Sequence, residues 1–265
     1  LNSPFRESQA AIMFLFKHIK PVMDTLVTAL AWMYYIGGYL VFFWPFHLWA
    51  YFFSTNRERG FQKVNRRIYQ SFFFVLRAIT PGLKLHVPSD VSAIRSSVIV
   101  CNHLSFLDPI LLASLYAQQK TIVKSILFKL PVFGWLLKHS GYLPSDSGGE
   151  FLNLILTRIA DMPEYLATGG NLFVFPEGTR SRSGKIGTFN KGAFSIARKC
   201  RAPIAVLRVR NTGKLFPPDK ILFNTCVDIT ISMELITLLK PAYDDDDFSL
   251  ARLMESVQAL YQDMG

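Results

Sequence analysis

Between residues 25 and 53 the chain carries no Asp, Glu, Lys or Arg; His47 is its one titratable imidazole, and Trp32, Trp44, Trp49, Tyr34, Tyr35 and several phenylalanines crowd the stretch. As one helix it would run roughly 43 Å at 1.5 Å per residue, longer than a bilayer core of about 30 Å. Gly37, Gly38 and Pro45 lie inside it and are strong breakers. The pattern predicts a bent or re-entrant helical hairpin, in competition with one tilted span. Arg6, Lys17 and Lys20 precede the run, and Arg57, Arg59, Lys63, Arg66 and Arg67 follow it. Basic flanks on both sides place both ends on the cytoplasmic face, which favours a hairpin dipping into one leaflet. Residues 57–80 then read as an amphipathic helix, basic first and aromatic later, suited to the headgroup level.

After Pro81 and Gly82 the periodicity changes. Short apolar, β-branched runs at 83–87, 97–101, 121–124, 172–175, 204–209 and 226–233 read as strands. Helical patterns at 109–118, 133–139, 149–168, 190–200 and 247–264 separate them. Strands alternating with helices predict an α/β fold with a mostly parallel central sheet flanked by helices. The expected organisation is a membrane-associated helical segment over residues 1–80 and a catalytic domain over 81–265.

Composition narrows the partners. Hydrophobic residues make up 50% and charged residues 18%, which excludes a disordered chain. Lys and Arg number 29 against 19 Asp and Glu, a net charge of +10. From residue 244 onward the chain is acidic, so the basic excess is concentrated upstream. Such a balance on an apolar chain points to a membrane surface, a phosphate-bearing substrate or nucleic acid. No nucleic-acid recognition motif accompanies it, and no nucleic-acid partner is expected. Cys101, Cys200 and Cys226 are widely spaced and read as small buried hydrophobes in a reducing compartment, not as a disulfide framework. Four consecutive aspartates, 244–247, read as dipole-stabilising residues ahead of the last helix; no metal is expected there.

Two segments carry candidate chemistry, each following an apolar strand. In the first, His103 comes directly after a strand and Asp108 stands five residues on, with Pro109 behind it. Asp108 is expected to cap the next helix, and the loop can fold His103 back onto its carboxylate. Such a bond fixes the imidazole tautomer and leaves the other nitrogen as a general base. A loop histidine bonded to a helix cap would use the same residues without catalysis. In the second segment, Pro176, Glu177, Gly178, Thr179 and Arg180 end a strand, and Arg182, Lys185 and Lys191 follow. Glycine permits close backbone approach, and the cations suit a phosphate; a solvated basic loop is the plainer reading. The chain has no Gly-x-Ser-x-Gly elbow for a serine hydrolase. The run from Gly178 to Lys185 fails as a phosphate-binding P-loop, because Ile186 stands where Ser or Thr is needed.

Together the two segments resemble the glycerolphosphate/lysophospholipid acyltransferase family, which includes 1-acylglycerol-3-phosphate acyltransferases. The stretch with Lys124, Pro131 and Gly134, the block Phe189, Asn190, Lys191 and Gly192, and the block Ala202 to Val206 are similar to further family segments. The resemblance covers residues 80–210. It implies acyl transfer from an acyl thioester, on coenzyme A or acyl carrier protein, to the free hydroxyl of a lysolipid, with no other cofactor. His103 is implied as base and Asp108 as its orienting partner. Glu177, Gly178, Thr179, Arg180, Lys124 and Lys191 are implied to bind substrate. One departure stands out. The family's arginine shortly after a glycine is missing beyond Gly141, where Asp146 or Ser147 occupies its place. The implied acceptor is 1-acylglycerol-3-phosphate, with a lysolipid of different or cationic head, such as a lyso-aminolipid, as the alternative. A non-catalytic membrane scaffold is the reading from a different class.

Overall fold

The computed structural model describes residues 4–146 and 149–262, with side chains from His18 onward. Ser147 and Met264, both part of the expectations above, lie outside the described residues, as do the side chains of Arg6 and Lys17. A seven-stranded sheet organises the molecule. Its strands are β1 (Leu83–His86), β2 (Val98–Cys101), β3 (Gln119–Val123), β4 (Leu143–Pro144), β5 (Asn171–Val174), β6 (Ile204–Arg210) and β7 (Ile229–Leu239). They lie in the order β1-β7-β6-β2-β5-β3-β4. The β6–β7 pair is antiparallel and every other pairing is parallel.

β2 and β5 are buried along their whole length, as parallel strands covered on both faces must be. The side chains of β2, β5 and β6 alternate between two cores. Ile99, Cys101, Phe173, Ala205 and Leu207 enter one; Val98, Val100, Leu172, Val174, Ile204 and Val206 enter the other. Over the first face lie α3 (Arg57–Ile79) and α5 (Leu107–Leu115), and over the second α8 (Met162–Ala167), α9 (Gly192–Cys200) and α11 (Leu250–Gln262).

Several boundaries differ from expectation for identifiable reasons. Residues 149–168 are not one helix. α7 (Leu152–Ala160) stops at Asp161, and α8 restarts with Pro163 in its first turn, where a residue without N–H is tolerated. The last helix starts at Leu250, so the aspartates at 244–247 lie in the turns before it. The short edge strand β4 has no period to announce it.

The N-terminal segment departs most. No hairpin forms within residues 25–53. Helix runs on from α1 (Pro4–Trp32) through two π-helical stretches, Met33–Gly37 and Tyr39–Phe43, into α2 (Trp44–Phe53). The wider π turns absorb the glycine pair and deliver Pro45 to the first turn of α2, where its missing N–H costs nothing. The chain reverses only at residues 54–56, where Ser54 is extended and Asn56 caps α3 through the Arg59 N–H at 3.0 Å.

The rod is docked on the body built around the sheet. Ala31 joins the first core, with Trp32, Tyr34 and Tyr35 packed against it. Asp24 Oδ1 accepts from the Thr225 N–H (2.8 Å) and hydroxyl (2.7 Å), and Thr28 Oγ1 accepts from the Phe223 N–H at 2.8 Å. α3 is likewise a body helix. It buries Phe61, Ile68, Phe72, Phe73 and Leu76, and its Gln62 bonds the Ser140 carbonyl, the Gln119 N–H and the Tyr165 hydroxyl. A cut at residue 80 would therefore divide a continuous core.

Candidate active site

β2 and β5 are parallel neighbours in a register that pairs Val100 with Val174. Continued past the strand ends, that register sets His103 beside Glu177, although 74 positions separate them in sequence. Both candidate segments thus reach the carboxyl edge of one open sheet, where such folds place their sites. The structure brings the two segments together there.

Asp108 is the hub. Its carboxylate is almost fully buried at 1% exposure. Oδ2 accepts three N–H groups: His103 Nδ1 at 2.9 Å, the Leu104 amide at 2.6 Å and the Ser105 amide at 2.7 Å. This corrects the capping role expected from sequence. Asp108 sits one residue inside α5, behind the cap position Phe106, and its carboxylate turns back onto the loop that carries His103. A carboxylate only accepts, so Nδ1 holds a proton, and in the neutral ring that tautomer leaves the lone pair on Nε2. The ring is further clamped by Phe175, stacked at 4.1 Å between centroids. Ser105 is held in turn by its hydroxyl, which donates to the Phe216 carbonyl at 2.8 Å.

Glu177 is a brace between loops. Oε1 accepts the His103 backbone N–H at 3.1 Å and Oε2 accepts the Gly187 N–H at 3.0 Å. Gly178 turns the chain with φ +70°, in the left-handed region that favours glycine. Asn190 closes the turn by donating its backbone and side-chain N–H groups to the Pro176 carbonyl. Before the histidine, Asn102 uses its amide as a strand would use its backbone, exchanging two bonds with Val209 at 2.8 and 3.0 Å.

A cavity of about 850 Å³ opens over these groups. His103, Lys124, Glu177, Gly178, Thr179 and Arg180 line it, with Arg182 and Lys185 adding charge. Arg182 pairs with Asp219 at 3.2 Å. Lys191 is not in its wall; it stands exposed immediately before α9. Cys101 lies under the site with its thiol held well above the usual range, first by burial and then by the charge of Asp108, so it supplies no thiolate nucleophile.

Sequence reasoning left Asn102, Phe175, Gly187 and Asn190 without roles. Asn102 left a signal, a polar residue closing an apolar strand. Gly187 acts through its backbone N–H and Phe175 through ring position, which residue type does not announce, and Asn190 adds a side-chain bond to a carbonyl fourteen residues away.

Residues 82–210 match the protein-family model described as Acyltransferase. The chain carries an acyltransferase-family domain. Among curated proteins, a chloroplastic 1-acyl-sn-glycerol-3-phosphate acyltransferase of Brassica napus is 38% identical over 123 residues, covering 45% of this chain and 34% of the relative. One from Arabidopsis thaliana is 36% identical over 139 residues, covering 51% and 36% respectively. The aligned part thus spans about a third of the length of these relatives. The crystal structure of the 1-acyl-sn-glycerophosphate acyltransferase PlsC from Thermotoga maritima superposes with a TM-score of 0.68 at 21% identity, covering 92% of this chain and 96% of that one. At that identity the likeness establishes the fold of the acyltransferase domain together with the apolar helices before it.

Proposed function

We propose that this protein is a membrane-bound O-acyltransferase that moves a fatty acyl chain from an acyl thioester to the free hydroxyl of a lysolipid, with 1-acylglycerol-3-phosphate as acceptor and phosphatidic acid as product. One observation carries the reading: the Nδ1 side of His103 is locked to a buried carboxylate at 2.9 Å while the ring borders a cavity lined with cations. His103 Nε2 takes the proton of the acceptor hydroxyl as its oxygen attacks the thioester carbonyl. The carbon–sulfur bond breaks, and the same proton passes to the leaving thiolate. Asp108 stabilises the imidazolium between these steps. Arg180, Lys124 and Lys185 hold the acceptor phosphate, while Glu177, Gly178 and Thr179 shape the loop that presents Arg180. Lys191 contributes through the field near the site. The scheme uses acyl-CoA or acyl-ACP as co-substrate and calls on no metal or other cofactor.

Membrane attachment fits this chemistry, because the product is insoluble in water. The described residues include one helical stretch, His18–Phe53, long and apolar enough to cross a membrane. Its outer face exposes Val22, Leu26, Leu30, Met33, Phe42, Phe46, Trp49 and Phe53. Embedding that face, with the basic flanks on the cytoplasmic side, would hold the chain at the lipid surface on that side.

A second acceptor class has a specific observation in its favour. Asp146, whose N–H donates to Ser125 Oγ at 3.0 Å, stands exposed close to Lys124 and offers a carboxylate to a cationic head such as that of a lyso-aminolipid. The test is an acceptor screen with one defined acyl thioester, read by mass spectrometry. Phosphate-headed lysolipids are expected to be acylated, and absence of product from the whole panel refutes acyl transfer. Loss of product in His103→Ala, with membrane association kept, separates enzyme from scaffold.

A further inference from the structure

On the far side of α5 from His103 a second cavity, of about 680 Å³, opens between α2 and α3. His103 and Asp108 belong to the amino end of α5, whereas this cavity lies by its carboxyl end, near Ser114 and Ala117. The nine residues of α5 separate the two by about 13 Å. Its floor is apolar, made by Phe43 just before α2, Phe46 of α2 and Ile68 of α3; its rim carries Lys63, Arg66 and Arg67, and no carboxylate lines it.

The rim is electrostatically incomplete. Arg66 is half-buried and its Nε donates to the Ser114 carbonyl at 3.3 Å. Its pKa is pushed below the ordinary arginine value by burial, and further by the like charges of Arg67 and Arg95. Elsewhere this chain neutralises a buried cation with a carboxylate, as Glu58 does for Lys120 at 2.8 Å. Here three cations share one helical face, at i, i+3 and i+4, above a greasy floor, and among the described residues no carboxylate pairs with them. An anion with an apolar tail satisfies both halves. Phe46 and Phe42, 59% and 70% exposed, carry the floor outward onto the unpartnered apolar face of the long helix, so the cavity opens where lipid chains would lie.

We infer that the cleft between α2 and α3 is a binding site for one anionic phospholipid, separate from the catalytic cavity, with the phosphate on Lys63, Arg66 and Arg67 and an acyl chain along Phe43, Phe46 and Ile68. The site is independent of the acyl-transfer chemistry and is tested by binding, not by turnover.

The full chain in detergent micelles is titrated with dioctanoyl phosphatidylglycerol, dioctanoyl phosphatidylcholine and inorganic phosphate, followed by calorimetry. Phosphatidylglycerol is expected to saturate at one per chain in this cleft and to bind at least tenfold more tightly than phosphatidylcholine. The double variant Lys63→Gln, Arg67→Gln alters two exposed side chains and should weaken it at least tenfold with an unchanged melting temperature. Ala117→Phe, which fills the cavity without changing its charge, should do the same. Arg180→Ala should leave this binding intact, which distinguishes the cleft from the proposed acceptor site. Equal affinity for the two lipids, wild-type affinity in both cleft variants, or loss on Arg180→Ala overturns the inference. Inorganic phosphate binding as tightly as phosphatidylglycerol would make this a free-phosphate site and overturn the lipid assignment.

Discussion

The proposed chemistry hangs on one carboxylate oxygen. Asp108 Oδ2 takes three N–H donors inside the protein, so the aspartate shapes the loop as well as the tautomer. His103 and Asp108 should therefore separate under mutation. His103→Ala is expected to lower kcat by at least about 10²-fold, the scale for losing a general base, with a melting temperature near wild type; near-normal kcat would end the base assignment. Asp108→Asn removes the charge from hydrogen bonds worth about 1.5–3 kcal/mol each. It should lower turnover and also cost about 2 kcal/mol of stability, seen as an earlier denaturant midpoint. Arg180 is exposed at the cavity wall and touches nothing that fixes the fold. Arg180→Ala should raise KM for phosphate-bearing acceptors more than for neutral ones, and equal losses for both would remove the anion clamp.

Among elements, the joint between α3 and the sheet is the most strongly determined. Lys120 of β3, at 1% exposure, reaches Glu58 of α3 at 2.8 Å and lies 4.1 Å from the centre of the Tyr165 ring; Arg158 of α7 pairs with the same Glu58. Gly141 makes room for this network, because a Cβ there would meet the Glu58 carboxylate at 2.3 Å. Removing one partner leaves a charge buried and uncompensated. Glu58→Gln is expected to cost about 3 kcal/mol, measured by denaturant unfolding, without a specific effect on KM. An unchanged midpoint would show that Lys120 and Arg158 need no carboxylate. The same joint explains why a helix whose sequence suits a bilayer surface is instead half core. Its apolar stripe is recognisable from the pattern, but its partner Lys120 lies more than sixty residues away and reads as an ordinary surface lysine.

On the scale of the whole molecule, the proposed anchor and the proposed catalytic site share structure. Trp32 contacts Phe106 of the catalytic loop at 5.4 Å and Phe216 at 6.1 Å between centroids, and Phe216 supplies the carbonyl that holds Ser105. Deleting residues 1–56 would therefore strip the proposed membrane anchor and uncover core at once. That truncation is expected to leave membranes but to melt lower and aggregate. Charging the outer face alone should divide the two effects. Leu26→Glu with Trp49→Glu, at positions 53% and 66% exposed, should reduce flotation with vesicles while the melting temperature in detergent holds. Unaltered flotation would place the anchor on another surface.

Periodicity and residue type were enough for the α/β class, the uncharged apolar run and the two segments that carry His103, Asp108 and Arg180. Each of these is written in adjacent residues: strand alternation, an uncharged run, a histidine and aspartate within one loop. Sheet order, by contrast, depends on contacts between distant strands. Only the parallel pairing of β2 with β5 makes Glu177 a brace for His103, and only the packing of α3 on α5 turns the expected headgroup helix into a wall of the core. The turn of the N-terminal segment moved to residues 54–56 for the same reason: aromatic contacts between the long helix and the body outweighed the local breaking tendency of Gly37, Gly38 and Pro45.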